Sequence, residues 1–278
     1  MSVLLALGSA ITFGIADFLG GIASRRTTAW TVVIGSQFAG GLMLVLLLPV
    51  LPDATVETSD LLWGAAAGMA GAVALTQFFR ALALGTMSVV APVSAVISGA
   101  VPVVAGVAFG ERPSPLAWIG IALALPAIAC IARERSEVVD KTRPDVLLSA
   151  VIGGFGFGVF FVFLDRTGDG AGIHPLISAR ATSVLILGAV GVLSARLRPV
   201  RGRLLGIIAL SGVLDMTANT LFLYAVREGL LALGSVISAM YPASTLVLAR
   251  TFLGERLQRI QIAGLALAAI AVALVALG

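Results

Sequence analysis

Ten long apolar stretches, separated only by short loops, fill most of this chain of 278 residues. An α-helix that crosses the hydrocarbon core of a bilayer needs about 20 mainly apolar residues. The stretches lie at roughly residues 2–22, 30–50, 61–83, 86–108, 113–132, 146–164, 174–195, 203–224, 232–252 and 258–277. The loops leave no room for a separate soluble domain. The sequence therefore predicts an all-α integral membrane protein with ten transmembrane helices.

The composition favours lipid over water as the solvent of this chain. Hydrophobic residues make up 59% of it and charged residues 12%, whereas ordinary soluble domains are about 25% charged. A soluble fold of this size cannot bury so much apolar surface, because its surface-to-volume ratio forces polar residues outward. The net charge of +4 does not indicate nucleic-acid binding, since basic residues that alternate with apolar spans are typical of membrane topology. Membrane lipid, and no nucleic acid, is the expected surrounding partner.

The two halves of the chain repeat each other at a constant offset of 144 residues. The triplet Gly110–Arg112 recurs as Gly254–Arg256, and the pair Phe13-Gly14 recurs as Phe157-Gly158. The register holds without a gap, which chance matches in an Ala- and Leu-rich chain do not explain. Internal repeats indicate a duplicated structural unit. The predicted parts are a first five-helix repeat at residues 1–132, a charged linker at 133–145 and a second five-helix repeat at 146–278.

The odd number of helices per repeat means that the second copy enters the membrane from the face opposite to the first. The predicted fold is therefore two inverted five-helix repeats, related by a pseudo-two-fold axis in the membrane plane. Many secondary transporters are built in this way, with the solute site near the bilayer midplane. Small-residue pairs such as Gly64 with Gly68 and Ser36 with Gly40 favour close helix packing in such a bundle.

The basic residues are distributed unequally between the two predicted membrane faces. One face carries twelve of them, which are Arg25, Arg26, Arg133, Arg135, Lys141, Arg143, Arg196, Arg198, Arg201, Arg203, Arg256 and Arg259. The opposite face carries Arg112, Arg166 and Arg227. Cytoplasmic loops of membrane proteins are enriched in Lys and Arg. The sequence thus predicts that the twelve lie in the cytoplasm and that both termini lie outside.

The second half of each repeat resembles a known family. The residues that carry the resemblance are Ala239–Pro242, Phe252–Arg256, and their counterparts Ser94–Gly99 and Phe109–Arg112. These residues, together with the arrangement in two five-helix repeats, are similar to those of EamA-type members of the drug/metabolite transporter superfamily. The resemblance implies a carrier of small organic solutes, often an exporter of amino acids or other metabolites, in the plasma membrane. Its members are usually drawn with cytoplasmic termini, opposite to the arginine distribution. Because the chain holds both halves, a monomer is plausible.

Asp215 is the first candidate for a transport role. It falls near the middle of the eighth span, and its repeat counterpart is Gly71. Ionisable groups inside the bilayer are costly and usually functional. Asn219 follows four residues later on the same helix face. The carboxylate can bind a proton or a cationic group in a cavity; the alternative is a structural hydrogen bond between helices.

Asp17 and Arg80 are a second pair of candidates. Both occur in spans that end on the predicted cytoplasmic face, so the two charges are expected at similar depth. An ion pair within the membrane lowers the cost of both, and the pair could serve as a gate or as one pole of the solute site. The alternatives are a fixed structural pair and an Arg80 side chain that extends to the interface.

Arg180 lies about two turns inside the seventh span. Its planar guanidinium suits a carboxylate, although extension to the interface is the alternative. Together with Asp215 it suits a zwitterionic solute such as an amino acid. Polar residues of other spans are expected to line the same cavity, namely Gln37, Thr76, Gln77, Asn219, Thr220 and Tyr241.

Prolines interrupt two spans that are repeat equivalents. Pro92 and Pro102 lie in the fourth span, and Tyr241-Pro242 lies in the ninth. Broken helices at equivalent places in two halves often mark a binding site, so Tyr241 and Pro242 are predicted to belong to it. Proline is also ordinary in membrane helices. Glu111 and its counterpart Glu255 follow spans in turns, where capping or ion pairing is the expected role.

The residues favour a secondary transporter with alternating access, and an exporter of amino-acid-like metabolites with proton coupling at Asp215 is the expected form. A nucleotide-binding phosphate loop is missing from the sequence, so uphill transport would need an ion gradient; uncoupled exchange also fits. With one His and one Cys, neither catalysis, a metal site nor a cofactor is expected. The alternatives are a flippase for lipid-linked substrates and a non-transporting membrane scaffold.

Overall fold

The computed structural model describes residues 1–51, 53–85, 87–132, 143–194, 197–253 and 258–277, and all regular elements in these ranges are helical. The α-helices are Ser2–Ser24 (α1), Ala29–Leu47 (α2), Thr58–Leu84 (α3), Met87–Ala108 (α4), Pro115–Ala132 (α5), Pro144–Asp165 (α6), His174–Leu193 (α7), Arg203–Arg227 (α8), Leu231–Ser238 (α9), Tyr241–Leu253 (α10) and Arg259–Leu277 (α11). Two short 3-10 helices lie between them, at Leu48–Val50 after α2 and at Asp169–Ala171 after α6. The all-α prediction is confirmed for these residues. The centre of the predicted linker and the triplet Gly254–Arg256 lie outside them.

Eight of the described helices are long and apolar enough to cross a membrane. The fifth predicted span is shorter, with an apolar helix over Pro115–Ile131. The ninth predicted span is not one helix, because it is divided into α9 and α10. Pro242 has no N–H to donate to the carbonyl of Ser238, so the chain makes a turn there, and proline is tolerated in the first turn of the new helix.

Polar caps fix where several helices begin. The Thr28 hydroxyl accepts a hydrogen bond from the Thr31 N–H at 3.2 Å and so starts α2. At the start of α3, the Glu57 N–H donates to Asp60 Oδ2 at 2.8 Å. The other oxygen of the buried Asp60 accepts from the Gly168 N–H at 2.7 Å. Asp60 therefore caps its own helix and ties it to the loop after α6.

Helices of the first half pack mainly on helices of the second half. α1 lies along α8, α3 lies along α6 and α7, and α2 lies along α8 and α7. α4 packs on α6 and α9, while α5 packs on α11. The core therefore lies between the halves, where both contribute to one bundle.

Small residues allow the closest of these approaches. A Cβ atom at Gly68 of α3 would lie 2.8 Å from the Cα of Ala179 in α7. A Cβ atom at Gly212 of α8 would lie 2.7 Å from the Cα of Ser36 in α2. Real Cβ atoms do not approach backbone so closely, and small residues are what lets membrane helices come together. These contacts hold α3 against α7 and α2 against α8, the helices that surround the candidate site.

Replacing Gly68 by Ala should destabilise the protein by about 1–3 kcal/mol, the usual cost of an extra methyl group in a packed core. The reason is that the new methyl group meets the backbone of α7, which cannot give way by a side-chain rotation. Gly188, also in a helix, has open space around it. Gly188→Ala should therefore be neutral or stabilising by up to about 1 kcal/mol. Thermal unfolding in the same detergent compares the two, and equal midpoints would contradict the packing argument.

Arginine side chains have different surroundings at the two ends of the bundle. At one end, Arg26, Arg198 and Arg201 line a recess between the start of α2 and the start of α8. At the other end, Arg227 donates to the carbonyl oxygens of Gly172 at 2.8 Å and Gly168 at 2.9 Å. The cytoplasmic position of the end that carries Arg26, Arg198 and Arg201 stays a prediction.

Candidate functional site

A buried ion pair between Arg180 of α7 and Asp215 of α8 forms the centre of the candidate site. Arg180 Nη2 donates to Asp215 Oδ2 at 2.7 Å, and the two side chains are only 7% and 18% exposed. Arg180 Nη1 donates to Gln37 Oε1 of α2, and its Nε contacts Met216 Sδ at 3.1 Å. The guanidinium is thus held by three neighbours. The two charges that the sequence analysis assigned to a solute are bound to each other here.

Asn219 lies one turn after Asp215, as predicted, but its amide is engaged within the helix. Its Nδ2 donates to the backbone carbonyl of Asp215 at 2.7 Å. The amide therefore fixes this turn of α8. It still borders the cavity beside the ion pair, where its other polar atom can face a solute.

A first cavity lies beside the ion pair. Gln37, Arg180, Asp215 and Asn219 form its polar side. The apolar side is made by aromatic residues of α1 and α6 and by α3 residues, namely Phe13, Phe157, Phe160, Phe161, Gly71 and Leu75. Its volume is about 20 Å³, room for about one water molecule. Gly71, the repeat counterpart of Asp215, faces the same space, so the repeats differ in charge at this point.

A second cavity of about 20 Å³ adjoins the first. It shares Asp215 and the ring of Phe13 with the first cavity, and adds Asp17, Ser98 and Ser238. Ser211 of α8 donates to the carbonyl of Ala16, the residue before Asp17, at 2.8 Å. This bond holds the turn of α1 that contains Asp17 against α8. We call the two joined spaces the central cavities.

Tyr241 lines the second cavity with its ring and makes a structural contact with its hydroxyl. The hydroxyl donates to the backbone carbonyl of Ala91 in α4 at 3.0 Å. Behind the ring, Thr245 Oγ1 donates to the carbonyl of Gly14 in α1 at 3.2 Å. The first turn of α10, which contains Pro242, is therefore held between α4 and α1. Pro242 does not itself line either cavity; it causes the break that brings Ser238 there.

The predicted pairing of Asp17 with Arg80 is not found among the described residues. Arg80 instead lies 4.0 Å from Asp145 in the first turn of α6, and its side chain is 51% exposed. Arg80 is one turn from the end of α3, and its long side chain reaches outward. Asp17 is about two turns inside α1 and buried. Similar depth along two helices did not imply that their side chains point toward each other.

Three other predicted polar residues lie outside the central cavities. Gln77 does not border either cavity, and its Oε1 is buried without a hydrogen-bond partner among the described residues. Thr76 and Thr220 each donate at 2.8 Å to the carbonyl four residues earlier in their own helices. A threonine that bonds its own helix needs no partner elsewhere.

The sequence analysis missed the aromatic walls and the serines. Phe13 and Phe157 line both cavities, and Phe13 contacts Phe161 with a ring-centroid distance of 6.1 Å. Phe13 and Phe157 are repeat counterparts, so their duplication was a usable signal. Ser98 and Ser238 carried another signal, because each stands four residues before a proline.

Glu111 fixes the outer end of the broken helix. Its Oε1 accepts from the Leu231 N–H at 2.6 Å, and its Oε2 accepts from the Ala232 N–H at 3.0 Å. The carboxylate thus caps the first turn of α9, where a negative charge is also favoured by the helix dipole. Gly110, with φ of 103°, makes the turn that delivers it. Capping was one of the roles expected for Glu111; its counterpart Glu255 lies outside the described residues.

The donor set of the site suits charged solutes and monovalent ions. In the described part of the chain, no group of three His, Cys, Asp or Glu residues could hold a metal ion. A guanidinium and two carboxylates at one buried point can instead bind opposite charges of one small molecule.

Comparison with known proteins places the whole chain in context. The family model of the EamA-like transporter family matches residues 1–133 and 144–277. The search of curated proteins gives no match. A solved structure described only as "Crystal structure of protein" is similar in fold, with a TM-score of 0.77 and 17% sequence identity. The similarity covers 99% of this chain and 96% of that chain.

Proposed function

Because the chain belongs to the EamA-like transporter family, we propose that it is a secondary transporter for small organic solutes. As a multi-pass membrane protein it would act in the plasma membrane and export metabolites, with amino-acid-like solutes favoured. The observation that carries this proposal is the buried Arg180–Asp215 pair beside a cavity. A small-molecule solute and the surrounding lipid are its only required partners, and a monomer suffices.

The proposed architecture is ten transmembrane helices in two inverted repeats. Eight candidate spans, the shorter α5 and the divided segment of α9 and α10 together supply ten crossings. The family matches fall on the two halves separately. The packing supports the same layout. At the offset of 144 residues, α1 corresponds to α6 and α3 corresponds to α8, and α1 packs on α8 just as α6 packs on α3. In the same way α4 corresponds to α9–α10, and α4 packs on α6 just as α9–α10 pack on α1.

A zwitterion can replace the ion pair without loss of charge contacts. Its carboxylate would take the place of Asp215 at Arg180, and its ammonium group would take the place of Arg180 at Asp215. Breaking a buried pair by removing one partner is strongly unfavourable, because a charge remains unpaired. A solute that carries only one charge would leave such a charge behind. The pair thus favours solutes that bring both signs.

The central cavities are too small for an amino acid in this conformation, since each offers room for about one water molecule. Solute entry therefore requires helices to separate. In alternating access, one part of the bundle rocks against the other around a central site. The turn between α9 and α10 is the natural place for this bending. If transport is uphill, a proton taken up by Asp215 would release Arg180 for the solute carboxylate.

Transport can be tested with purified protein in liposomes. Liposomes preloaded with an unlabelled amino acid should accumulate its labelled form, whereas protein-free liposomes should not. Panels of sugars and purely cationic compounds test the charge argument. Extracellular metabolites of cells with and without the protein then give the direction of transport.

Flux of only uncharged or only cationic compounds would overturn the zwitterion proposal. If no solute moves, a labelled lipid assay in the same liposomes tests the flippase alternative. Failure of both would leave a scaffold role.

A further inference from the structure

Asp17 is the one acidic side chain of the central cavities that has no ionic partner among the described residues. Arg180 is already paired with Asp215. Asp17 is buried, lines the second cavity, and makes no hydrogen bond or ion pair with any described residue. With Asp17, Asp215 and Arg180 ionised, the cavities carry one excess negative charge. An isolated buried charge is strongly unfavourable, so the carboxyl group of Asp17 either holds a proton or has a cation beside it.

Two backbone carbonyls near Asp17 are left without their usual helical donors. Pro102 cannot donate to the carbonyl of Ser98, and Pro242 cannot donate to the carbonyl of Ser238, because proline has no N–H. Both serines line the same cavity as Asp17. In the turn after α9, the hydrogen bonds go instead to the carbonyls of Ser235 and Ile237, at 2.8 Å and 3.1 Å. Each repeat thus contributes one carbonyl released by a proline.

The Ser238 side chain gives an independent indication of a missing partner. It is 1% exposed, and its Oγ has no hydrogen-bond partner among the residues that the structure describes. Ser238 and Asp17 both line the second cavity, so the residue with the unpartnered oxygen lies in the wall of the space that Asp17 borders. The hydroxyl of Ser98 donates to the Ala95 carbonyl at 3.1 Å, which leaves its oxygen lone pairs available. Ser238 is also the last residue of α9, where the helix dipole favours a positive charge.

We infer that the second cavity is a binding site for one sodium ion, held by Asp17, Ser98 and Ser238. Unwound carbonyls and the C-terminal ends of half-helices are the groups that coordinate such ions in secondary transporters. In this conformation, the cavity volume of about 20 Å³ admits a species of the size of a water molecule and is too small for an organic cation. One free carboxylate balances a monovalent ion and not a divalent one. Ion binding stands by itself, whereas a role of sodium in coupling rests on the proposed function.

The binding test uses purified full-length protein without any solute. Radiolabelled sodium should bind with a stoichiometry near one, and unlabelled sodium should displace it much better than potassium or N-methylglucamine. Asp17→Asn should reduce the affinity at least about tenfold, as expected for loss of a group that holds a metal ion. Ser238→Ala should also weaken binding. Thermal unfolding at constant ionic strength supplies a second readout, in which sodium raises the midpoint of the native protein only.

Ser9→Ala is the matched control for Ser238→Ala. Within the described ranges, Ser9 Oγ is likewise buried without a hydrogen-bond partner, but Ser9 does not line either of the central cavities. Sodium binding should be unchanged in this variant. Equal stabilisation by sodium, potassium and N-methylglucamine would overturn the site, as would sodium binding that survives Asp17→Asn. A response to pH alone, with no sodium effect, would assign Asp17 to a proton and also overturn it.

The same preparations separate this inference from the proposed function. Solute flux in sodium-free buffer, with no sodium binding, would leave the transporter proposal standing and refute the ion site. Sodium binding without flux of any solute would support the ion site and refute the transporter proposal.

Discussion

Asp215→Asn is expected to reduce solute flux at least about 30-fold, the factor that corresponds to about 2 kcal/mol for truncating one partner of a buried charge pair. The amide removes the negative charge that faces Arg180 at 2.7 Å. The guanidinium then stays buried without a counter-ion, which costs about 3–5 kcal/mol in stability. The initial rate of counterflow in liposomes and the unfolding midpoint in detergent measure the two effects.

A double variant separates transport from structure. Arg180→Gln combined with Asp215→Asn leaves no unpaired charge at this point, so much of the stability should return. Flux should not return, because neither of the two charged groups proposed to bind the solute remains. If the double variant transports as well as the native protein, the pair is only a link between α7 and α8, and the zwitterion proposal is wrong.

Glu111→Ala is expected to lower the stability by roughly 3 kcal/mol, since two hydrogen bonds to a charged group are lost at about 1.5 kcal/mol or more each. The Leu231 and Ala232 N–H groups lose the carboxylate that accepts from them. The helix α9 has only eight residues and depends on this cap more than a long helix would. Flux should fall as well, because α9 ends at the second cavity.

Two neighbouring substitutions test whether the cap is the cause. Glu111→Gln keeps an acceptor oxygen and should lose only part of the stability. Arg112→Ala removes an exposed side chain whose one hydrogen bond in the described part of the chain goes to the Glu111 carbonyl, at 3.1 Å. It should change stability by no more than about 0.5 kcal/mol. Equal losses in all three variants would show that the turn as a whole, and not the carboxylate, holds α9.

The sequence was most informative where a single physical cost dominates. Long apolar stretches allow few structures besides membrane helices, and eight of the predicted spans appear as continuous candidate spans. Mean hydropathy does not change when one backbone N–H is missing. The break between α9 and α10, just before Tyr241, was therefore indicated only by Pro242. The break is what brings Ser238 to the cavity.

The sequence predicted which residues belong to the candidate site better than it predicted which residues contact each other there. The cost of burying charge singled out Arg180, Asp215 and Asp17, and all three line the central cavities. The same argument failed for Arg80, because the sequence gives depth along a helix but not the direction of a long side chain. Gln77 was polar and at a suitable depth, yet it lies on another side of α3. Partners on other helices depend on packing that one sequence does not encode locally.

The packing of each half on the other has a consequence for biogenesis. When the first half has been inserted, Gln37 lacks Arg180, Asp60 lacks the Gly168 N–H, and Gly68 faces no α7 backbone. Such groups are poorly matched to lipid tails, so the first half cannot reach its final packing alone. It must remain loosely assembled in the membrane until the second half has left the ribosome. We therefore expect the protein to fold as one cooperative unit, although the family model matches its two halves separately.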